Sequence, residues 1–147
     1  MSYSVVMRSD KNAGGTQNSR KYAFDWTPFE EGAYEVTFSI KAKMSSATTA
    51  DQILAIELPD LGATFQTFTA GEKISSQNSH IIGVFMSAGG TSASAGFGDN
   101  APMKIISKPR NNIFTVNLYQ CTDNGIFGPA TDGNIKGYYL ILNFKRC

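Results

Sequence analysis

A chain of 147 residues is the size of one domain and is long enough to bury a core without a metal or a disulfide framework. Thirteen basic and twelve acidic residues leave a net charge of +1, which argues against a strong electrostatic grip on nucleic acid or on an anionic membrane. Two cysteines, Cys121 and Cys147, are too few for a disulfide-rich secreted scaffold and form no CxxC spacing. They read as free thiols of a reducing compartment, or as a bridge only if the two sulfurs meet in space.

In chain order, the opening "MSYSVVMRSDKN" holds no apolar run of signal-peptide length, and no later run approaches the ~20 residues of a membrane-spanning helix. A soluble product, made in the cytoplasm and not inserted in a membrane, is expected. "SYSVVM" (2–7) is a first short strand, and "SDKNAGGTQNSR" reads as a loop by its Gly, Asn and Ser content. "KYAFDW" (21–26) places Tyr22, Phe24 and Trp26 on one face before "TPFEEG" turns the chain. From Tyr34 the sequence alternates strictly. Tyr34, Val36, Phe38, Ile40 and Ala42 face one way, and Glu35, Thr37, Ser39, Lys41 and Lys43 face the other, which predicts a half-buried strand.

"SSATTADQ" (45–52) reads as a loop, "ILAIELP" (53–59) as a strand ended by Pro59, and "ATFQTFTAG" (63–71) as a Thr- and Phe-rich strand candidate. "HIIGVFM" (80–86) is apolar on both faces, which suits a central strand covered on both sides. Residues 87–100, "SAGGTSASAGFGDN", are small and offer little apolar area to offset ordering, so a surface loop is expected there. Its glycines do not form a phosphate loop, because no GK[ST] follows. "PMKIISKP" (102–109), bracketed by prolines, suits an edge strand. "NNIFTVNLYQ" (111–120) alternates again, "TDNGIFGPATDGNIKG" (122–137) is rich in turn dipeptides, and "YYLILNFK" (138–145) aligns Tyr138, Leu140, Leu142 and Phe144. Strands without helical periodicity predict an all-β fold, one domain over residues 1–147. Long crossing connections and an apolar last strand select a single jelly-roll β-sandwich of about eight to ten antiparallel strands. An immunoglobulin-type sandwich lacks its Cys–Trp–Cys order here, since Trp26 precedes both cysteines.

The inventory of reactive groups is thin. His80 is the sole histidine, which excludes every His–His metal spacing, and no GxSxG motif accompanies it. Glu30 and Glu31 are adjacent and would point apart in an extended chain. Asp99, Asp123 and Asp132 lie in separate loops that could converge as an oxygen cage for calcium, without the spacing of a calcium loop. The expectation is therefore a protein that is not an enzyme, with no catalytic residue, no cofactor and no metal. Most of the ten Phe, six Tyr and one Trp share faces with aliphatic residues and read as core. Tyr119, Tyr139 and Phe127 fall on the opposite face or in a loop, and are the candidates for packing against a neighbouring subunit.

Three segments, "FDWTPFEEGAYEVTFSIKAK", "KPRNNIFTVNL" and "YYLILNFK", stand in an order that resembles small single jelly-roll proteins of large eukaryotic DNA viruses and their virophages. In that pattern an Asp-Trp precedes a Gly-x-Tyr strand, a Lys/Arg-Pro-x-x-Asn segment leads into the penultimate strand, and the chain closes on Tyr-x-Leu-x-Leu-x-Phe. The resemblance implies a virion component, a minor capsid or penton-like protein synthesised in the host cytoplasm. It would act by forming a homo-oligomer and touching other capsid proteins. It supplies no catalytic residue, and the chain has room for one roll and not the paired rolls of a major capsid protein. The alternative expectation is a module of a viral surface spike that binds a glycan or a host receptor through loops 87–100 and 122–137.

Overall fold

The computed structural model describes residues 2–10, 14–16, 19–44, 53–61, 81–87, 92–105, 107–121, 127–129 and 135–147. Among them are eleven strands and one short 3-10 turn, and no helix long and apolar enough to cross a membrane. The strands are β1 (Ser2–Arg8), β2 (Gly14–Thr16), β3 (Ser19–Ala23), β4 (Tyr34–Met44), β5 (Ile53–Glu57) and β6 (Ile81–Ser87). They continue with β7 (Ser92–Ala95), β8 (Met103–Ile105), β9 (Ile113–Cys121), β10 (Phe127–Pro129) and β11 (Ile135–Arg146).

The order of hydrogen-bonded neighbours is β1-β11-β4-β7-β6-β5-β9-β3-β2, with β8 also on β4 and β10 also on β9. Each pair is antiparallel. Setting aside the small β2, β8 and β10, the eight principal strands pair first with last (β1 with β11), second with seventh (β3 with β9), third with sixth (β4 with β7) and fourth with fifth (β5 with β6). A ribbon folded over on itself in this concentric manner is a jelly roll. It yields one layer of β1-β11-β4-β7 and a second of β3-β9-β5-β6. Among the described residues, the strand pairing that joins the layers is where Met86 and Ser87 of β6 meet Ser94 and Ala93 of β7.

Alternation decides what each strand buries. In β4, Tyr34, Val36, Phe38, Ile40, Ala42 and Met44 are all buried, while Lys41 and Lys43 between them are exposed. In β11, Tyr138, Leu140, Leu142 and Phe144 face the same interior, paired with Ala42, Ile40, Phe38 and Val36 of β4. The second layer contributes Tyr22, Leu54, Ile56, Phe85, Phe114, Val116 and Leu118. These side chains carry most of the hydrophobic stabilisation, at about 1.5–3 kcal/mol per large apolar side chain buried.

One end of the sandwich is closed by rings. Trp26 lies edge-on to Phe144, with centroids 5.6 Å apart, and packs on Phe24 at 4.4 Å, Phe29 at 5.1 Å and Phe114 at 6.0 Å. Tyr3 and Tyr34 complete the cluster against Phe29. Lys108 holds the turn that carries these rings. Its Nζ donates to the carbonyl oxygens of Phe29 (2.8 Å) and Trp26 (3.3 Å) and lies 3.4 Å from a Glu31 carboxylate oxygen. The segments around Trp26, Lys108–Phe114 and Phe144 that stand out in the sequence thus meet at one place, as core and its fastening.

Four readings of the sequence change. Residues 87–100 are not one surface loop: Ser92–Ala95 is a strand on β4, with Ala93 and Ala95 buried opposite Ala42 and Ile40. Small side chains fit there because the facing strand supplies the bulk. "HIIGVFM" is not covered on both sides, since Val84 is 42% and Met86 52% exposed. β6 ends its layer rather than centring it, and a register shift after Ile56 turns both Ile82 and Phe85 inward. Within the expected loop 9–20, Gly14–Thr16 pairs with Ser19–Lys21 as a small hairpin. The last strand also begins earlier than the sequence suggests, at Ile135. The strand candidate at 63–71 and the loop at 45–52 lie outside the described residues.

Candidate functional site

The outer face of the first layer carries an open depression of about 560 Å³. Strand register explains its lining. Lys41 and Lys43 succeed each other on the outer side of β4, so their Cα atoms stand about 7 Å apart. Ser94 and Ser92 of β7 are their cross-strand partners on one side, and Tyr139 and Gly137 of β11 on the other. A shift in register between Ile135 and Gly137 inserts Lys136 as an extra residue, and Lys136 is exposed while Ile135 and Tyr138 on either side of the bulge are buried. Bulges re-aim side chains in this way, and here the result is a third ammonium beside Lys43.

The remaining wall is the end of β1. Ser9 donates its backbone N–H to the Tyr138 carbonyl at 3.0 Å, and its hydroxyl accepts the Tyr138 N–H at 2.8 Å. A Cβ at Gly137 would stand 3.1 Å from that hydroxyl, so glycine is what lets β1 and β11 close on each other here. Asp10, the one carboxylate on the rim among the described residues, is held by Arg8 through two hydrogen bonds of 3.1 and 2.8 Å. The Arg8 guanidinium also stands over the Tyr139 ring, 5.7 Å from its centroid. None of Lys41, Lys43 and Lys136 has an ion-pair partner among the described residues. The depression therefore presents three positive charges that no described carboxylate pairs, beside the exposed ring of Tyr139.

Of the residues proposed from sequence as interface candidates, Tyr139 is 53% exposed on this face. Tyr119 does not stand exposed. It is on the side of β9 away from the core, as its alternation indicates, but only 7% exposed there. It packs with Ala55, its cross-strand partner, and its hydroxyl donates to Glu57 Oε1 at 3.1 Å. Asn117 donates to the same oxygen at 2.8 Å, while Glu57 Oε2 is buried without a hydrogen-bond partner. Burial, reinforced by the Glu57 carboxylate, pushes the Tyr119 phenol well above the ordinary tyrosine range. Phe127 lies in β10 opposite Cys121, and its side chain is outside the described residues.

The other sequence candidates fall partly outside the described residues. His80, Asp123 and Asp132 lie outside the described residues. Asp99 serves a local turn, accepting the Gly96 N–H at 2.6 Å. Glu30 and Glu31 do point apart, to Arg146 and Lys108 respectively. No group of three or more His, Cys, Asp or Glu that could hold a metal occurs among the described residues. Cys147 is an exposed free thiol.

Lys41 and Lys43 read in sequence only as the wet side of a strand, and their charge gains meaning through the partners the register brings. The bulge at Lys136 has no signature in the sequence beyond the neighbouring Gly137. A second surface feature is equally a matter of pairing: Ile53 (40% exposed) lies directly across from Met86, and Val84 follows two residues along the same side of β6. These three form an apolar row on the outer face of the second layer. No protein-family model matches the chain, and no curated protein matches it.

Proposed function

We propose that the protein is a structural component of a virion, a minor capsid or penton-like jelly roll that works by associating with copies of itself and with other capsid proteins. The setting comes from the ordered resemblance of its Trp26, Lys108–Asn112 and Tyr138–Phe144 segments to small viral jelly rolls, because a fold alone names no function. The observation that carries the association is the row Ile53, Val84 and Met86. Apolar side chains gathered on one outer face, each 40–52% exposed, are what an interface between copies would cover.

Sedimentation velocity across a range of concentrations tests this. The wild-type chain is expected to form a closed assembly, and Val84→Lys with Met86→Glu to release monomers that retain the β-rich circular-dichroism spectrum. Mass spectrometry of purified particles is expected to find the chain. A wild-type protein that stays monomeric at high concentration and is absent from particles overturns the proposal.

A second reading, a glycan- or receptor-binding module of a viral spike on the same fold, is favoured by one observation. The lysine-lined depression with Tyr139 at its side is a concave polar site and not part of the apolar row. It spans the outer face of β4 and β11 and takes in Ser92 and Lys136 from the two segments, 87–100 and 122–137, from which such binding is expected.

A further inference from the structure

We infer that the depression lined by Lys41, Lys43, Lys136 and Tyr139 binds an acidic saccharide, a sugar bearing sulfate or carboxylate groups. The inference rests on the glycan-binding reading above and gives that site its ligand class and its place. Three kinds of group meet there. Among the described residues the ammonium groups of Lys41, Lys43 and Lys136 have no carboxylate partners, and the carboxylate on the rim, Asp10, is already engaged by Arg8. Tyr139 offers a half-exposed ring whose face can receive the C–H side of a sugar. Ser92 lies on the rim beside Lys43, a hydroxyl suited to exchange hydrogen bonds with sugar hydroxyls. The volume of about 560 Å³ falls within the range of small-molecule sites, roughly 300–1,000 Å³.

The surroundings discriminate between anionic ligands. An acidic peptide usually adds as a strand or docks as a helix in a groove. Strand addition is closed at β4 and β11, the strands that carry the lysines and Tyr139, because β4 is paired on both edges by β11 and β7, and β11 by β1 and β4. Single-stranded nucleic acid needs a track of stacking rings along a basic groove, whereas this depression has one ring and the chain carries a net charge of only +1. A compact saccharide with its own fixed charges asks for what is present: point charges, one platform and hydroxyls. The lysines belong to strands whose opposite faces are core, so their Cα positions are fixed before any ligand arrives.

The test is isothermal titration of the full chain with a heparin hexasaccharide, a fully desulfated and carboxyl-reduced hexasaccharide of the same backbone, and a single-stranded oligonucleotide. Variants are Lys41→Ser, Lys43→Ser, Lys136→Gln, their triple combination, Tyr139→Ser, and Lys145→Gln as a charge removed from β11 outside the depression. Retention of fold is read from the fluorescence of Trp26. Heparin hexasaccharide is expected to bind in a salt-dependent manner. Each lysine variant should weaken binding roughly two- to fivefold, as for exposed charge pairs, and the triple variant more than tenfold. Tyr139→Ser should weaken binding at unchanged net charge, and Lys145→Gln should not.

Equal loss in Lys145→Gln, or none in the triple variant, overturns the site. An oligonucleotide that displaces the hexasaccharide overturns the assignment to sugar. Binding of the neutral hexasaccharide alone leaves glycan binding standing and sinks this inference; if neither saccharide binds, both fall.

Discussion

Gly83 offers the sharpest test of how the two layers approach each other. A Cβ added there would sit 2.5 Å from Phe38 Cε1 and 2.7 Å from both Cγ and Oδ1 of Asn100. Carbon atoms in contact prefer about 3.5–4.0 Å, so both neighbours, or the β6 backbone beside them, must give by roughly 1 Å. Neither moves freely. Phe38 is 4% exposed in the core, and the Asn100 amide is fastened to β6 by two hydrogen bonds, from Val84 N–H to Oδ1 (3.0 Å) and from Nδ2 to the Val84 carbonyl (2.9 Å).

Displacing the ring costs about 1–3 kcal/mol as overpacking, and displacing the amide forfeits two bonds of about 0.5–1.5 kcal/mol each. Against either cost stands the gain of about 0.4–1 kcal/mol from a less flexible unfolded chain. Gly83→Ala should therefore destabilise by about 1–3 kcal/mol, lowering Tm by about 2–4 °C per kcal/mol in a chain of this size. Urea unfolding followed by Trp26, the single tryptophan, reads the change directly. Combining Gly83→Ala with Phe38→Ala should cost less than the sum of the two, because the deleted ring vacates the space the methyl needs. If Gly83→Ala raises Tm, as at a strand glycine in open space, the close approach of β6 to β4 is wrong.

Phe38→Ala alone should cost about 3–5 kcal/mol, while Thr37→Ala on the outer side of the same strand should cost little; equal losses in urea unfolding would mean that both faces of β4 are buried. Lys108→Met removes the charged donor shared by the Trp26 and Phe29 carbonyls and should cost about 1.5–3 kcal/mol, with a red shift of Trp26 emission as the aromatic end loosens; an unchanged midpoint contradicts the role given to Lys108. Burial raises the phenols of Tyr22 and Tyr138, whose hydroxyls bond at 2.8 Å, and that of Tyr119. These groups keep their protons in the fold after the unfolded chain begins to lose its own near pH 10. Their stabilising contribution is complete below that pH and declines above it, by about 1.4 kcal/mol per pH unit for a group still protonated in the fold. Urea midpoints between pH 9 and 12 should fall accordingly, and tyrosinate absorbance should show Tyr119 and Tyr138 ionising only on unfolding. Titration of all six tyrosines near pH 10 in the folded protein would contradict their burial.

What could be read from the sequence followed from how each strand is covered. β4, β9 and β11 show clean alternation because one side meets the core and the other does not, and their core-facing residues are those the alternation selects. β7 could not be read this way: Ala93 and Ala95 are core through the bulk of their neighbours on β4, and composition is blind to neighbours. β6 misleads for the opposite reason, since Val84 and Met86 are apolar yet outward. Tyr119 and Tyr139 show the limit most clearly. Both lie on the side away from the core, but Tyr119 stands beside Ala55 and Glu57 in the middle of a layer and is buried, whereas Tyr139 stands among long charged side chains and is open. The period of a strand names the face a residue occupies, and register decides what awaits it there.

The concentric pairing of strands underlies the core, the depression and the apolar row alike. Cross-strand NOEs between backbone protons of the full chain test it most directly. The expected set links Val5 with Leu142, Tyr22 with Phe114, Ala42 with Ala93 and Leu54 with Phe85. A set linking each strand to its successor instead, β3 to β4 and β4 to β5, would describe a meander and contradict the jelly roll.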